Sequence, residues 1–193
     1  MYFLFLADGF EEIEALAVVD VLRRANIKIN SVRIGKNLNP SENKKVKGAN
    51  SISVIADLDE NEFANILESG NLEGIILPGG MPGTANLNNS ELVLKAIRYC
   101  HKNNKLIAAI CAAPMILGEM GLLENKEAVC YPGFEGNLHG AKIVKGPVCV
   151  QDNIITAKGP GVALEFGMKI VEFILSKEKA DMVKSSMQCN FWK

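Results

Sequence analysis

Leu106-Ile-Ala-Ala-Ile-Cys111-Ala-Ala-Pro114 is the stretch on which the fold reading turns. Five apolar residues in a row suit a strand buried on both faces. Small residues follow Cys111 at once, and Pro114 is pre-set for the first turn of a helix. Strand, sharp turn and helix in that order make a nucleophile elbow, which lifts a side chain above the edge of a sheet. The N-terminus of the next helix carries partial positive charge and favours thiolate over thiol. Burial in the core is the alternative fate of Cys111, since cysteine is among the most buried residue types. The local sequence leaves both open.

Outward from the elbow, strands alternate with helices. Tyr2 to Ala7 and Gly74 to Leu77 are short apolar runs of the same kind, and Ile27 to Ile34 alternates weakly as a further strand. Ser51 to Ala56 predicts a strand paired locally with Val46. Helical spacing predicts helices over Glu11 to Ala25, Glu60 to Ser69 (ending before Gly70), Glu91 to about Asn103 behind a Ser90 cap, and Ala113 to Met120. Gly35 to Lys45 predicts a loop, and Lys126 to Tyr131 a short strand. Lys142 to Ala157 predicts a hairpin around Asp152-Asn153. A helical run opens at Gly159-Pro160-Gly161, and a last helix covers about Lys179 to Gln188. This alternation implies a mainly parallel sheet covered on both faces. Such sheets bind ligands at the carboxyl ends of their strands. The loop Asp8 to Glu14, the loop after Leu77 and the turn at Cys111 all follow strands, and so converge in principle.

The bulk figures set outer limits. The 193 residues suit one domain, 1–193, and no Pro-, Gly- or Ser-rich linker divides them. Hydrophobic residues make up 48% and charged residues 22%, enough apolar surface for a core. A net charge of −1 gives no global attraction to nucleic acid or to an anionic membrane. No apolar run approaches the roughly 20 residues that span a bilayer, and no secretory signal is expected. Five cysteines, an odd number without a CxxC pair, argue against a disulfide framework or a zinc ribbon. A cytoplasmic, reducing location and no metal are the expectation.

Three further groups carry chemistry. Pro78-Gly79-Gly80-Met81-Pro82-Gly83 follows a strand, and its adjacent glycines let backbone N–H groups approach a ligand or an oxyanion; a plain tight turn is the alternative. It lacks the spacing of a dinucleotide fingerprint. Glu11, Glu12 and Glu14 open a helix whose apolar side is marked by Ile13 and Ala17. Glu11 and Glu12 read as acids complementing the helix dipole. Glu14 lies close to the apolar side, where a desolvated carboxyl holds its proton near neutral pH and donates a hydrogen bond to a thiolate; an acid complementing the helix dipole is the alternative. His101 and His139 are the two histidines, and nothing local brings either to Cys111.

Taken together these segments resemble the ThiJ/PfpI superfamily, specifically its DJ-one (Parkinsonism-associated) branch. The elbow carries the resemblance, with Asp8-Gly-Phe-Glu-Glu-Ile-Glu14, Val19-Asp-Val-Leu-Arg-Arg-Ala25, Leu77-Pro-Gly-Gly80 and Lys158-Gly-Pro-Gly161 with Glu165-Phe166, in the same order along the chain. It implies an α/β, flavodoxin-like three-layer sandwich related to class I glutamine amidotransferases, and a homodimer. It also implies Cys111 as the reactive cysteine and Glu14 as its acid. Gly80 and the Cys111 N–H are then the oxyanion position, with Gly79 and Ala112 beside it. Ala112 replaces the histidine that follows the cysteine in the protease-like branch. Tyr131, in Cys130-Tyr-Pro-Gly133, stands as an auxiliary position where many relatives carry histidine, and is a poor base at neutral pH. The amidotransferases' His-x-Glu pair is missing.

The function this implies is cysteine-dependent handling of reactive carbonyls, of glyoxalase or deglycase type, on a small aldehyde or a glycated substrate without a cofactor. The alternative is an oxidant sensor acting through oxidation of the same cysteine. A cysteine peptidase, a chaperone and a thiamine-pathway role are weaker readings.

Overall fold

The computed structural model describes residues 1–35 and 43–189. The loop expected over Gly35 to Lys45 therefore lies largely outside the described residues. Six strands form the central sheet: β1 (Tyr2–Leu6), β2 (Ile29–Arg33), β5 (Gly74–Leu77), β6 (Leu106–Ile110), β9 (Val148–Gln151) and β10 (Ile154–Ala157). Their order is β2-β1-β5-β6-β10-β9. Every pairing is parallel except β10 with β9, a hairpin turning at Asp152 in a left-handed conformation (φ 55°). Two small ribbons stand apart, β3 (Lys45–Lys47) with β4 (Ser53–Ile55), and β7 (Glu127–Ala128) with β8 (Lys142–Ile143).

The period-2 rule of strands divides the core in two. Leu4 and Leu6 of β1, Ile76 of β5 and Ala108 and Ile110 of β6 face one way. There they meet Ala15, Val18, Val21 and Leu22 of α1 (Glu12–Arg24), Phe166 and Ile170 of α6 (Ala163–Ile174), and Ala180 and Val183 of α7 (Lys177–Ser186). Phe3, Phe5, Ile75, Leu77, Ile107 and Ala109 face the other way, against α2 (Glu60–Ser69), α4 (Glu91–Lys102) and α5 (Pro114–Glu119). Phe63 of α2 sits edge-on to both Phe3 and Phe5, with ring centroids 5.0 and 4.9 Å away. The strands read as continuous apolar runs because both faces are covered, as expected of the flavodoxin-like sandwich.

Local signals set the boundaries. Asp59 and Glu62 form a reciprocal capping box at the start of α2, and Gly70 ends it in the left-handed conformation (φ 73°). Two differences from the sequence reading matter. A short helix, α3 (Gly83–Asn88), follows the glycine-rich loop, which lacks the apolar periodicity that would have announced it. The inner face of α1 runs through Glu14, Ala15, Val18, Val21 and Leu22, whereas Ile13 is 58% exposed. Glu14 is thus within the buried stripe rather than beside it.

The chain leaves β1 for β2 on one side and later returns to place β5 on the other. That reversal opens a crevice between the carboxyl ends of β1 and β5. The loops that line it are tied together: the Glu11 N–H donates to the Gly79 carbonyl (2.9 Å), the Gly83 N–H to the Gly9 carbonyl (3.2 Å), and the Asn86 side chain to the Asp8 carbonyl (2.9 Å).

Candidate active site at the Cys111 elbow

Cys111 follows β6 directly and adopts φ 65°. A left-handed cysteine costs roughly 1–3 kcal/mol and persists only where its surroundings impose it. Here they do. The Cys111 N–H donates to the Ala157 carbonyl of β10 (2.9 Å), and the Cys111 carbonyl accepts from the Tyr131 N–H (2.8 Å). The next residues turn at once into α5, with Pro114 in its first turn. The side chain is 9% exposed, so the two readings left open by the sequence merge: the cysteine is nearly buried, and it sits on a strained elbow.

Glu14 comes from the opposite direction, in the first turn of α1. The Glu11 carboxylate caps that helix by accepting from the Glu14 N–H (2.7 Å). The Glu14 side chain is fully buried, and its Oε2 accepts from the Gly79 N–H (2.7 Å). Oε1 has no well-aligned partner among the described residues. The thiol of Cys111 is nonetheless a hydrogen-bonding neighbour of this carboxyl. Burial pushes the Glu14 carboxyl up to about 7, the thiol and the Gly79 N–H hold it from rising further, and the charge of Glu11 adds to the rise. The Cys111 thiol is pushed up to about 12, first by burial and then by the charge and hydrogen bond of Glu14; the Ala112 and Gly80 N–H groups pull the other way. A thiolate beside a carboxylate is the disfavoured state, so a protonated Glu14 favours the thiolate and a charged Glu14 opposes it.

The glycines make this contact sterically feasible. A Cβ at Gly79 would lie 2.6 Å from the Cys111 Cβ and 2.7 Å from Glu14 Oε2. Gly80 has φ 88°, and a Cβ there would meet the Glu11 nitrogen at 2.5 Å. Two of the expected oxyanion donors are already used, the Cys111 N–H on Ala157 and the Gly79 N–H on Glu14. The N–H groups of Gly80 and Ala112 are the ones directed at the sulfur. Tyr131 is half exposed, its backbone tied to the elbow and its ring packed on Gly159, where a Cβ would lie 3.0 Å from the ring. His101 and His139 are both exposed, and neither is among the groups that perturb the thiol.

Sequence reasoning missed Glu12. It is 4% exposed, and its carboxylate accepts from the Asn50 N–H (2.8 Å), the Asn50 side chain (2.9 Å) and the Ile52 N–H (3.3 Å). Its partners lie some 40 positions away, so no local signal marks it. Burial raises its pKa, but those hydrogen bonds outweigh burial and hold it below the usual carboxylate range.

Comparison with known proteins follows the geometry. The DJ-1/PfpI family model matches residues 2–173. The fission yeast (Schizosaccharomyces pombe) protein named glutathione-independent glyoxalase DJ-1 is 34% identical over 95% of this chain and 96% of its own length. Protein DJ-1 homolog B of Arabidopsis thaliana is 36% identical over 90% of this chain, which spans only 38% of that longer protein. The solved structure of oxidized Toxoplasma gondii DJ-1 superposes with a TM-score of 0.87 at 31% identity, covering 97% of each chain.

Proposed function

Because the chain belongs to the DJ-1/PfpI family, we propose that it is a single-domain enzyme converting small reactive carbonyls, of glyoxalase or deglycase type, through the Cys111–Glu14 pair. The observation that carries this is a juxtaposition: a fully buried carboxyl, raised to about 7, beside a thiol on a strained elbow. A relative that resembles the whole chain is named for glutathione-independent glyoxalase activity.

For methylglyoxal the steps balance without a redox partner. Glu14 takes the thiol proton as the sulfur bonds to the aldehyde carbon and passes it to the carbonyl oxygen, giving a hemithioacetal. The Gly80 and Ala112 N–H groups face the sulfur and are suited to hold the developing oxyanion. Glu14, charged again, removes the C1 hydrogen as a proton to leave an enediolate; the C1 hydroxyl proton moves to the C2 oxygen, and Glu14 returns its proton to the C2 carbon. The product is a thioester of lactate, which water cleaves to release lactate and restore the thiol. Tyr131, at the rim, is suited to contact substrate rather than to act as a base.

The test joins activity and thiol chemistry. Cys111→Ser is expected to lower methylglyoxal turnover by about 10³-fold or more. Alkylation followed residue by residue with mass spectrometry is expected to accelerate at Cys111 in Glu14→Gln relative to wild type at alkaline pH, because the neighbouring negative charge is gone. Full turnover in Cys111→Ser would overturn the reading.

A second reading rests on the same sulfur. The similar Toxoplasma structure is of an oxidized protein, and a protonated Glu14 would supply a hydrogen-bond donor to an oxidised Cys111, which supports an oxidant-sensing role. A sensor requires no aldehyde turnover, so the assay above separates the two. Location in the cytoplasm accords with five free cysteines, and among the described residues no helix is long and apolar enough to cross a membrane. Two copies are proposed to pair through Leu16 of α1 and Ile55 of β4, exposed by 42% and 71%, which border one shallow depression. Ile55→Glu is expected to shift the sedimentation of the protein toward the monomer; unchanged sedimentation would remove that surface from consideration.

A further inference from the structure

Both peptide groups that flank Cys111 are fastened to β10, through consecutive residues of that strand. On the N-terminal side the bond is direct: the Cys111 N–H donates to the Ala157 carbonyl (2.9 Å). On the C-terminal side it runs through a strap. The Cys111 carbonyl accepts from the Tyr131 N–H (2.8 Å), and two residues earlier the Val129 N–H donates to the Thr156 hydroxyl (3.0 Å). Thr156 and Val129 are both buried. β10 lies between β6 and β9, and Thr156 is in register with Ala109 on one side and Cys149 on the other. With its backbone paired along both edges, the strand meets the buried Val129 N–H with a side-chain oxygen instead. β7, which leads into the strap, is two residues long and pairs with the equally short β8. That ladder ends at Ala128, so among the described residues the Thr156 hydroxyl is the next hold on the chain before Tyr131.

We propose that Thr156 is a positioning residue for Cys111: its hydroxyl fixes the strap that keeps the elbow in its left-handed conformation. This role presupposes Cys111 as the nucleophile of the proposed carbonyl chemistry. At φ 65° the cysteine needs surroundings that impose its conformation. The strap supplies the donor to its carbonyl, and the same peptide group carries the Ala112 N–H, one of the two directed at the sulfur. Removing the Thr156 acceptor leaves a buried N–H at Val129, which is costly and drives the strap toward water. The Tyr131 donor then leaves with it. Ile155 and Ala157 face the Cys111 side of the core, so Thr156 faces the other side and acts through Val129 and Tyr131.

The experiment compares Thr156→Val, which removes the acceptor, with Thr156→Ser, which keeps it. Amide hydrogen exchange of the full chain, resolved by NMR, reads the strap; methylglyoxal turnover reads the sulfur. In Thr156→Val, exchange at the Tyr131 amide is expected to quicken about tenfold or more. The Cys111 Cα signal, which reports the backbone conformation, is expected to shift. The value of kcat is expected to fall about tenfold, with KM within about twofold of wild type. Thr156→Ser is expected to stay within about threefold of wild type in exchange and in kcat. In the wild type itself, Val129 and Tyr131 are expected to share one protection factor within about threefold, which tests the strap even if Thr156→Val fails to fold. Unchanged Tyr131 exchange or unchanged kcat in Thr156→Val overturns the proposal. So does a Thr156→Ser variant that behaves as Thr156→Val, or a Tyr131 amide protected independently of Val129. A wild type without turnover refutes the proposed activity instead; the exchange rates and the Cys111 Cα shift need no substrate and then decide the positioning role by themselves.

Discussion

Glu12 and Glu14 stand two residues apart on the first turn of the same helix, both nearly or fully buried, and their carboxyl groups shift in opposite directions. Glu12 faces the turn around Asn50 and collects three N–H donors there. Glu14 faces the elbow and collects one, from Gly79. Burial raises both; the supply of donors decides the outcome. The difference teaches that a carboxylate held charged against a loop and a carboxyl held near neutrality beside a thiol are built from the same residue at the same depth. They are distinguished by how completely the backbone solvates them.

The largest expected effect breaks the comparison at Glu14. Glu14→Gln keeps the shape and loses the titration, and is expected to lower methylglyoxal kcat by about 10²-fold or more, whereas Glu12→Gln lowers it by much less. Equal losses would mean that the two acids are not functionally distinct. In the wild type, kcat/KM should also show an inflection near pH 7 that Glu14→Gln abolishes.

Next comes stability against pH. The folded Glu14 carboxyl lies near 7 against an ordinary value of 4.5. Between those values the folded chain keeps a proton that the unfolded chain has lost. Stability therefore falls as pH rises through that window and levels off above it, by about 3 kcal/mol on linkage grounds. Denaturant melts of wild type and Glu14→Gln at pH 5 and pH 8 are expected to show that fall in the wild type only. Glu12 has the opposite sign: its contribution is present above the ordinary carboxylate range and is lost as pH falls through its lowered folded value.

Smaller effects sharpen the other side. Glu12→Ala leaves the N–H groups of Asn50 and Ile52 without their acceptor, and is expected to cost about 1–3 kcal/mol in a denaturant melt while leaving the pH inflection of kcat/KM in place. Asn50→Ala removes one side-chain donor and keeps both backbone donors, so about 1 kcal/mol is expected. A larger loss in Asn50→Ala than in Glu12→Ala would show that the turn is held by something other than the carboxylate.

Much of this was legible in the chain itself. The apolar runs of β1, β5 and β6 announced a sheet covered on both faces, and the order strand, Cys111, small residues, Pro114 announced the elbow. Glu14 was legible as an acid near the apolar side, although Ile13 misled as a marker of that side and turned out exposed. The helix after Met81-Pro82 was not legible, because its six residues span too few turns to display a period.

The sequence by itself determined most of the strands and the longer helices, and which residue types stand after the strands, because periodicity and turn chemistry act between near neighbours. Only the tertiary structure decided that Glu14 meets Cys111, that Glu12 holds the Asn50 turn, and that Arg33 is sealed with two donors that have no acceptor among the described residues. Those outcomes depend on how many N–H groups, charges and apolar walls reach one atom from distant parts of the chain. That count exists only once the sheet order has been set.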